Sequence, residues 1–278
     1  MGSLVKTTPY SEVTATLEVL ARHNITRKHL TMIRTNPRYA QKVEEAMLCC
    51  ELEESSKRNK ISVIMGGNSF SVDDWIVIYG AEFSKEQLSQ VAAFPWGEDV
   101  LNAPCPFENG KSIKETHFAF LGLDDFNGEP LTLMKWHVLH SYVDKKPKFH
   151  YDIDPWYRKH EFAAKSTCQF HWYLMPLAGF PNRNGNSYKE HLRLAPPEYE
   201  PASAVEEVVK AFLYYRKTGS YLEYERQSWC KDKDNRGDRV LADSFGYTGF
   251  RLESHDENAW KSCGVSIALS RKLPDNIS

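Results

Sequence analysis

The chain has few of the signals that assign a protein quickly. No stretch of its 278 residues approaches the roughly 18 apolar residues that a membrane-crossing helix needs. Met1 to Tyr10 holds one lysine and no apolar run, so neither a secretion signal nor an anchor is expected there. The chain is therefore expected to be made in the cytoplasm, and carried in a virion or displayed through a partner, without inserting directly into a membrane. Charge of one sign is not in excess. The 35 basic and 37 acidic side chains leave a net charge of -2, which argues against nucleic-acid binding through a basic face. Six cysteines (Cys49, Cys50, Cys105, Cys168, Cys230 and Cys263) form no C-x-x-C pair and no zinc-finger spacing with histidine. Without a secretion signal they are expected as free thiols.

Catalytic motifs are missing as well. There is no G-x-S-x-G, no glycine-rich phosphate loop and no H-E-x-x-H. Asp73-Asp74 and Asp124-Asp125 fall at expected turns or strand ends, where solvation is favoured over acid-base work. What the chain does have is rings: 7 Trp, 14 Tyr and 14 Phe against a hydrophobic content of only 41%. The rings must therefore supply much of the buried surface.

The pattern is mixed α+β, with helices first. Ser11, Thr26 and Asn36-Pro37 each suit the start of a short helix. Three short helices resemble a helix-turn-helix unit. The absence of a basic recognition helix favours a docking module instead. Ile61 to Met65 and Val72 to Tyr79 read as strands around the turn Gly66-Gly67-Asn68-Ser69. Ser84 and Gln87 form a capping box for a helix through Val91. Prolines and glycines between Phe94 and Gly110 suggest a domain boundary near 105. The expected organisation is a helical and mixed N-terminal region over 1–104 for attachment or docking, and a second domain over 105–278.

In that second part, Thr116 to Leu123 reads as a strand. Thr132 can cap a helix carrying Trp136, His137 and His140. Thr167 to Leu177 reads as a strand covered on both faces. Ser203 and Glu206 cap the clearest amphipathic helix, with Val205, Val208, Val209 and Phe212 inward and an end at Gly219. From Ser228 onward helix signals vanish, and Gly264 to Lys272 alternates like a strand.

Two constellations suggest metals. His137, His140, His150, Asp152 and Asp154 supply the donors for a transition metal, but ten histidines in such a chain produce one pair of this kind by chance. Asp232-Lys233-Asp234-Asn235-Arg236-Gly237-Asp238 copies part of an EF-hand loop, with Arg236 in the fifth place and Asp243 rather than Glu in the twelfth. A polar turn between strands is the better reading. No metal or other cofactor is expected, with calcium at this turn the one alternative kept.

The run Cys230-x-Asp232-x-Asp234-x-x-Gly237-x-Arg239-Val240, followed by an irregular stretch and then Gly264-Val265-Ser266-Ile267-Ala268-Leu269-Ser270-Arg271-Lys272, resembles the variable proteins of diversity-generating retroelements. The likeness is closest to those of archaeal viruses and uncultured small-genome microbes. Glu115 to Leu123, Pro130 to Trp136, Trp172 to Leu177 and the helix through Leu213-Tyr214-Tyr215 match in the same order. The resemblance covers about 105–273.

It implies a C-type lectin fold of the formylglycine-generating-enzyme kind, in which the first and last strands come together. Thr116 to Leu123 and Val265 to Lys272 are then the natural partners. The variable region falls at about 240–273. In such elements a reverse transcriptase errs at template adenines, and the copy replaces the end of the gene. The implied function is a receptor-type ligand-binding protein, not an enzyme, with a hypervariable surface that meets a protein ligand on a cell or virion.

Residues 241 to 263 mix rings, small polar residues and glycine without clear periodicity, a composition that binding loops favour. The expected contact positions are Leu241, Asp243, Ser244, Gly246, Tyr247 and Phe250, then Leu252, Ser254, His255, Asn258, Trp260 and Ser262. Tyr247 and Phe250 are the expected ring anchors. Mutating both adenines of an Asn codon never yields Lys, Glu, Gln, Met or Trp, so Glu253, Glu257, Trp260 and Lys261 cannot arise that way. Trp260 is accordingly the weakest of these positions. Trp136, Trp156 and Trp172 are expected in the scaffold.

Two other readings share the fold. An active formylglycine-generating enzyme needs a close cysteine pair, and Cys230 and Cys263 are far apart in sequence. A calcium-dependent sugar lectin would carry E-P-N, Q-P-D or W-N-D, and none occurs.

Overall fold

A computed structural model describes residues 27–36, 60–140, 147–150, 155–178, 187–222, 227–257 and 265–274. The chain forms two compact units, Met1–Lys57 and Arg58–Ser278. In the first, the described residues form helix α1 (Arg27–Thr35). It closes with the Asn36 N–H on the Met32 carbonyl at 2.9 Å. The helices expected after Ser11 and Asn36 lie outside the described residues.

The second unit begins with α2 (Lys60–Met65), β1 (Ser69–Phe70), α3 (Val72–Tyr79), α4 (Lys85–Gln90) and α5 (Glu98–Asn102). Next come α6 (Ile113–Thr116), β2 (His117–Leu121), the small pair β3 (Asp125–Phe126) and β4 (Glu129–Pro130), and α7 (Leu133–Leu139). A 3-10 turn (Trp156–Lys159) leads into α8 (Glu161–Ala164), β5 (Trp172–Pro176), α9 (Tyr188–Leu194), β6 (Tyr199–Pro201) and α10 (Ala204–Thr218). The chain then turns to strands: β7 (Ser228–Lys233), β8 (Arg239–Gly246), β9 (Gly249–His255), β10 (Ser266–Ile267) and β11 (Leu269–Arg271). The architecture is mixed α+β.

Residues 61–65 and 72–79 are helical, not the strands that their valines and isoleucines suggest. The cap decides this for α3. Ser71 N–H donates to the Asp74 carboxylate at 2.8 Å, and Asp74 N–H returns a bond to Ser71 Oγ at 3.4 Å. Gly80 ends the helix in the left-handed conformation at φ 69°. The capping boxes read at Ser84–Gln87 and Ser203–Glu206 are both present, and α10 ends at Gly219 as expected.

The boundary expected near 105 is not where the chain divides. The residues from 60 to 104 share one core with those beyond 105. β1 pairs in parallel with β2, Ser69 opposite Ala119. Three indoles tie the regions together. Trp75 donates to the Leu121 carbonyl at 2.9 Å, Trp172 to Val91 at 3.0 Å and Trp96 to Lys272 at 3.2 Å. The prolines and glycines around 94–110 are therefore a tight connection inside a domain.

The expected union of first and last strands is also absent. β2 has β1 on one side and β5, antiparallel, on the other. β10 pairs with β7 and β11 with β6. The switch occurs at Ala268, whose N–H donates to Trp229 and whose carbonyl accepts from Ala202, both at 2.9 Å. β5 is buried at every residue, as its unbroken apolar run requires.

The sheet β10-β7-β8-β9 packs one face on the main core and part of the other on a second cluster. Cys230, Val240, Ala242, Phe245, Phe250 and Leu252 enter the main core around α10. Trp229, Leu241 and Ile267 enter a second cluster with Tyr188 and Tyr199. Residues 239–255 are thus a hairpin with one bulge, between Ala242 and Ser244, not an irregular stretch. Burial on both sides at 239–242 removes the alternation by which a strand is recognised in sequence.

Candidate ligand-binding surface on the final hairpin

β9 is the edge of its sheet, and edges are where a fold offers unpaired main-chain groups. Part of this edge is covered. Phe250 N–H donates to the Lys148 carbonyl at 2.8 Å, and His150 N–H donates to the Phe250 carbonyl at 2.9 Å. This close approach needs a glycine. At Gly249, with φ 114°, a Cβ would lie 2.4 Å from the Phe149 carbonyl. Further along, Trp156 Nε1 donates to the Leu252 carbonyl at 2.9 Å.

An open cleft of about 940 Å³ runs along the edge. His150, Trp156, Tyr157 and His160 line one side, and Arg236 with residues 250–255 lines the other. His160 is fixed by its Nδ1, which accepts the Asn235 N–H at 3.0 Å.

The Asp-rich sequence between β7 and β8 forms the polar turn expected of it. Asp234 accepts N–H bonds from Arg236 at 2.8 Å and Asp238 at 3.0 Å, and the Ser254 hydroxyl at 3.1 Å. Arg236 Nη2 lies 3.0 Å from Asp234 Oδ2. Burial alone would raise the Asp234 carboxyl. These donors outweigh it and hold the group below its ordinary value.

A second row of charges crosses the outer face of the hairpin. Asp243 accepts from Gln227 and lies 3.6 Å from Arg251 Nε. Arg251 also meets Glu253, whose other oxygen is 3.0 Å from His255 Nε2. Behind them Arg239 lies 3.8 Å over the Tyr188 ring and donates to Glu257 at 2.7 Å. Burial would raise Glu257, and the Arg239 bond prevails and lowers it.

The expected contact residues divide sharply. Tyr247, at the hairpin tip, is 74% exposed, with Lys148 Nζ 5.8 Å from its ring centre. Asp243, Ser244, Gly246, Ser254 and His255 are half-buried at the surface. Leu241, Phe250 and Leu252 are core residues, exposed by 0%, 1% and 4%. Phe250 is therefore no anchor for a ligand. Its ring lies among Phe149, Phe212 and Phe245. Asn258, Trp260 and Ser262 fall outside the described residues.

Sequence reasoning missed His160, Arg236, Arg251 and Glu253 as parts of this surface, and placed Trp156 in the scaffold alone. The bridge between 149 and 250 that gathers them joins segments a hundred residues apart, and no local pattern announces it.

The histidine set does not converge. His140 is buried, with Nδ1 2.9 Å from the Pro147 carbonyl and Nε2 3.3 Å from Tyr79 Oη. His137 packs on Phe149, His150 faces the cleft, and Asp152 and Asp154 lie outside the described residues. Among the described residues no three metal-capable side chains come together.

Cys105, Cys168 and Cys230 are buried free thiols. Burial pushes Cys168 and Cys230 far above the ordinary thiol value. Among the described residues, no helix is long and apolar enough to cross a membrane. Comparison with protein-family models, curated proteins and solved structures gives no significant match.

Proposed function

We propose that this chain is a ligand-binding protein of receptor type whose final hairpin is the displayed surface, re-sampled by a diversity-generating retroelement, with a protein as its ligand. The observation that carries the reading is the split within β8–β9. Alternate residues anchor the hairpin in two cores. Between and beyond them stand Asp243, Ser244, Tyr247, Ser254 and His255 at the surface, beside an open cleft. A scaffold that must survive re-sampling needs this division between side chains that build the fold and side chains that do not. Tyr247 supplies a large amphipathic ring at low entropic cost.

The finer assignment to a C-type lectin fold rests on the collinear motifs alone, because β2 and β11 pair with other strands. The same motifs allow an inactive relative of formylglycine-generating enzymes. The buried, proton-retaining thiol of Cys230 favours binding over oxidase chemistry.

Selection tests the function. A library randomised at Asp243, Ser244, Tyr247, Ser254 and His255 is displayed on the full chain and panned against hen lysozyme and serum albumin. Binders specific to each target, with the melting temperature of the parent, support the reading. A library that stays folded yet yields no binder to either target overturns it.

A further inference from the structure

The pair Asn-Gly occurs at 109–110, 127–128 and 184–185. In this dipeptide a main-chain nitrogen reaches the neighbouring side-chain amide most easily, because glycine has no Cβ to bar the approach. The third pair lies outside the described residues. Asn109, Gly110, Asn127 and Gly128 are all exposed, and a Cβ at either glycine would meet nothing within 4 Å. Access therefore does not separate the first two pairs.

Their backbones do. Asn127 and Gly128 form the two-residue loop between β3 and β4, with Phe126 opposite Glu129. Their φ values of 57° and 80° are those of a type I′ turn. Such a turn sets ψ at Asn127 to about +30°. The Gly128 nitrogen then lies across the Cα–C bond from Cβ, where a five-membered ring with the side chain cannot close. Asp125 adds to this, since its Oδ1 accepts the Gly128 N–H at 2.8 Å. Removing that proton would break the bond and set an anion beside a carboxylate. Gly110 differs on both counts. It sits in a longer loop, 106–110, closed by the Cys105 N–H on the Lys111 carbonyl at 2.8 Å. Asn109 has no positive φ, and the Gly110 N–H meets no acceptor among the described residues.

We propose that Asn109 is a site of spontaneous deamidation through a cyclic imide, and that Asp125 and its turn protect Asn127 from the same reaction. The Gly110 nitrogen gives its proton to solvent hydroxide and bonds to Asn109 Cγ. The Cγ–Nδ2 bond breaks, and ammonia leaves after taking a proton from water. Water then opens the imide at either carbonyl, giving aspartate or isoaspartate. The change adds a carboxylate next in sequence to Glu108, which already pairs with Lys111. Isoaspartate also lengthens the main chain by one carbon, two residues from Phe107, whose ring packs on His117 and Tyr199.

The test uses the full chain, aged at mildly alkaline pH with and without urea and then digested with trypsin. Cleavage after Lys85, Lys111, Lys114, Lys135, Arg183 and Lys189 puts the Asn-Gly pairs in separate peptides. Mass spectrometry of each peptide reads the conversion of amide to acid. In the folded chain the Asn109 peptide is expected to convert about tenfold faster than the Asn127 peptide, the scale of one hydrogen bond to a charged group. In urea the two rates should converge. Asp125→Ala should speed conversion at Asn127 and leave Asn109 as it was. The urea comparison needs no variant, so it keeps the test valid should Asp125→Ala fold poorly. Equal rates in the folded chain, a difference that persists undiminished in urea, or no conversion at Asn109 would overturn the proposal, and so would an Asn127 rate unmoved by Asp125→Ala.

Discussion

The indole of Trp156 donates to the main-chain carbonyl of Leu252 across 2.9 Å, closing the edge of β9 where the cleft begins. Trp156→Phe keeps a ring and removes the donor. It is expected to lower the unfolding free energy by about 1 kcal/mol, the usual net value of such a bond. Urea denaturation measures this, and an unchanged midpoint would show that the bond contributes nothing.

Phe250 and Tyr247 stand three residues apart on one hairpin and should behave in opposite ways. Phe250→Ala opens a cavity among Phe149, Phe212 and Phe245, and should cost about 3–5 kcal/mol. Tyr247→Ala should stay within about 0.5 kcal/mol of the parent. Thermal and chemical melts of the two variants separate core from display directly.

His117 sets an acid limit on stability. It is wholly buried, its Nε2 2.9 Å from the Tyr199 hydroxyl and its Nδ1 3.0 Å from Thr116 Oγ1. Burial foremost, with Arg271 beside it, lowers its pKa to about 3. Burial pushes the Tyr199 hydroxyl up to about 12. Above the ordinary histidine value of 6.5, His117 is neutral both folded and unfolded and adds no pH dependence. Below it the unfolded chain takes up a proton that the fold refuses, so stability falls progressively from pH 6.5 toward 3. His171 and His191, also lowered chiefly by burial, act in the same sense. An NMR titration should show the His117 ring signal constant down to pH 5; titration at the ordinary value would refute the assignment.

Lys210 is buried with its ammonium 2.8 Å from Glu207 Oε1 and 3.1 Å from the Pro176 carbonyl, joining α10 to the end of β5. Lys210→Met leaves a carboxylate in the core and should cost about 3–5 kcal/mol. Adding Glu207→Gln should restore part of the loss. A double-mutant cycle gives the coupling, and strictly additive losses would deny it.

How far the fold is legible in the sequence depends on how local each signal is. The caps at Ser84, Thr132 and Ser203 and the stop at Gly219 involve neighbours within a turn, and all are where the pattern places them. The Ser71–Asp74 cap is equally local, but the β-branched run Ile76-Val77-Ile78 outweighs it to the eye. Strands covered on both faces lose their alternation. β5 is recognised by its rings and apolar residues on both faces, though it spans only Trp172–Pro176 of the expected 167–177, whereas β8 and β9 are lost to polar and small residues at their surface positions. For the site, Tyr247 is legible from composition. Phe250 has the same ring chemistry and the opposite place, because only pairing register decides which face a ring takes. The cleft itself depends on residues 148–160 reaching β9, a long-range contact beyond any local pattern.

The account turns on whether the hairpin varies where it is exposed and stays fixed where it is buried. Sequencing this gene and its flanking DNA from many members of one population measures that. Replacements are expected to concentrate at Asp243, Ser244, Tyr247, Ser254 and His255, while Leu241, Phe250 and Leu252 stay constant. A near-copy of the codons for 240–273, differing only at adenines, should stand beside a reverse transcriptase gene. A hairpin no more variable than the helices, with no such copy nearby, would contradict the account.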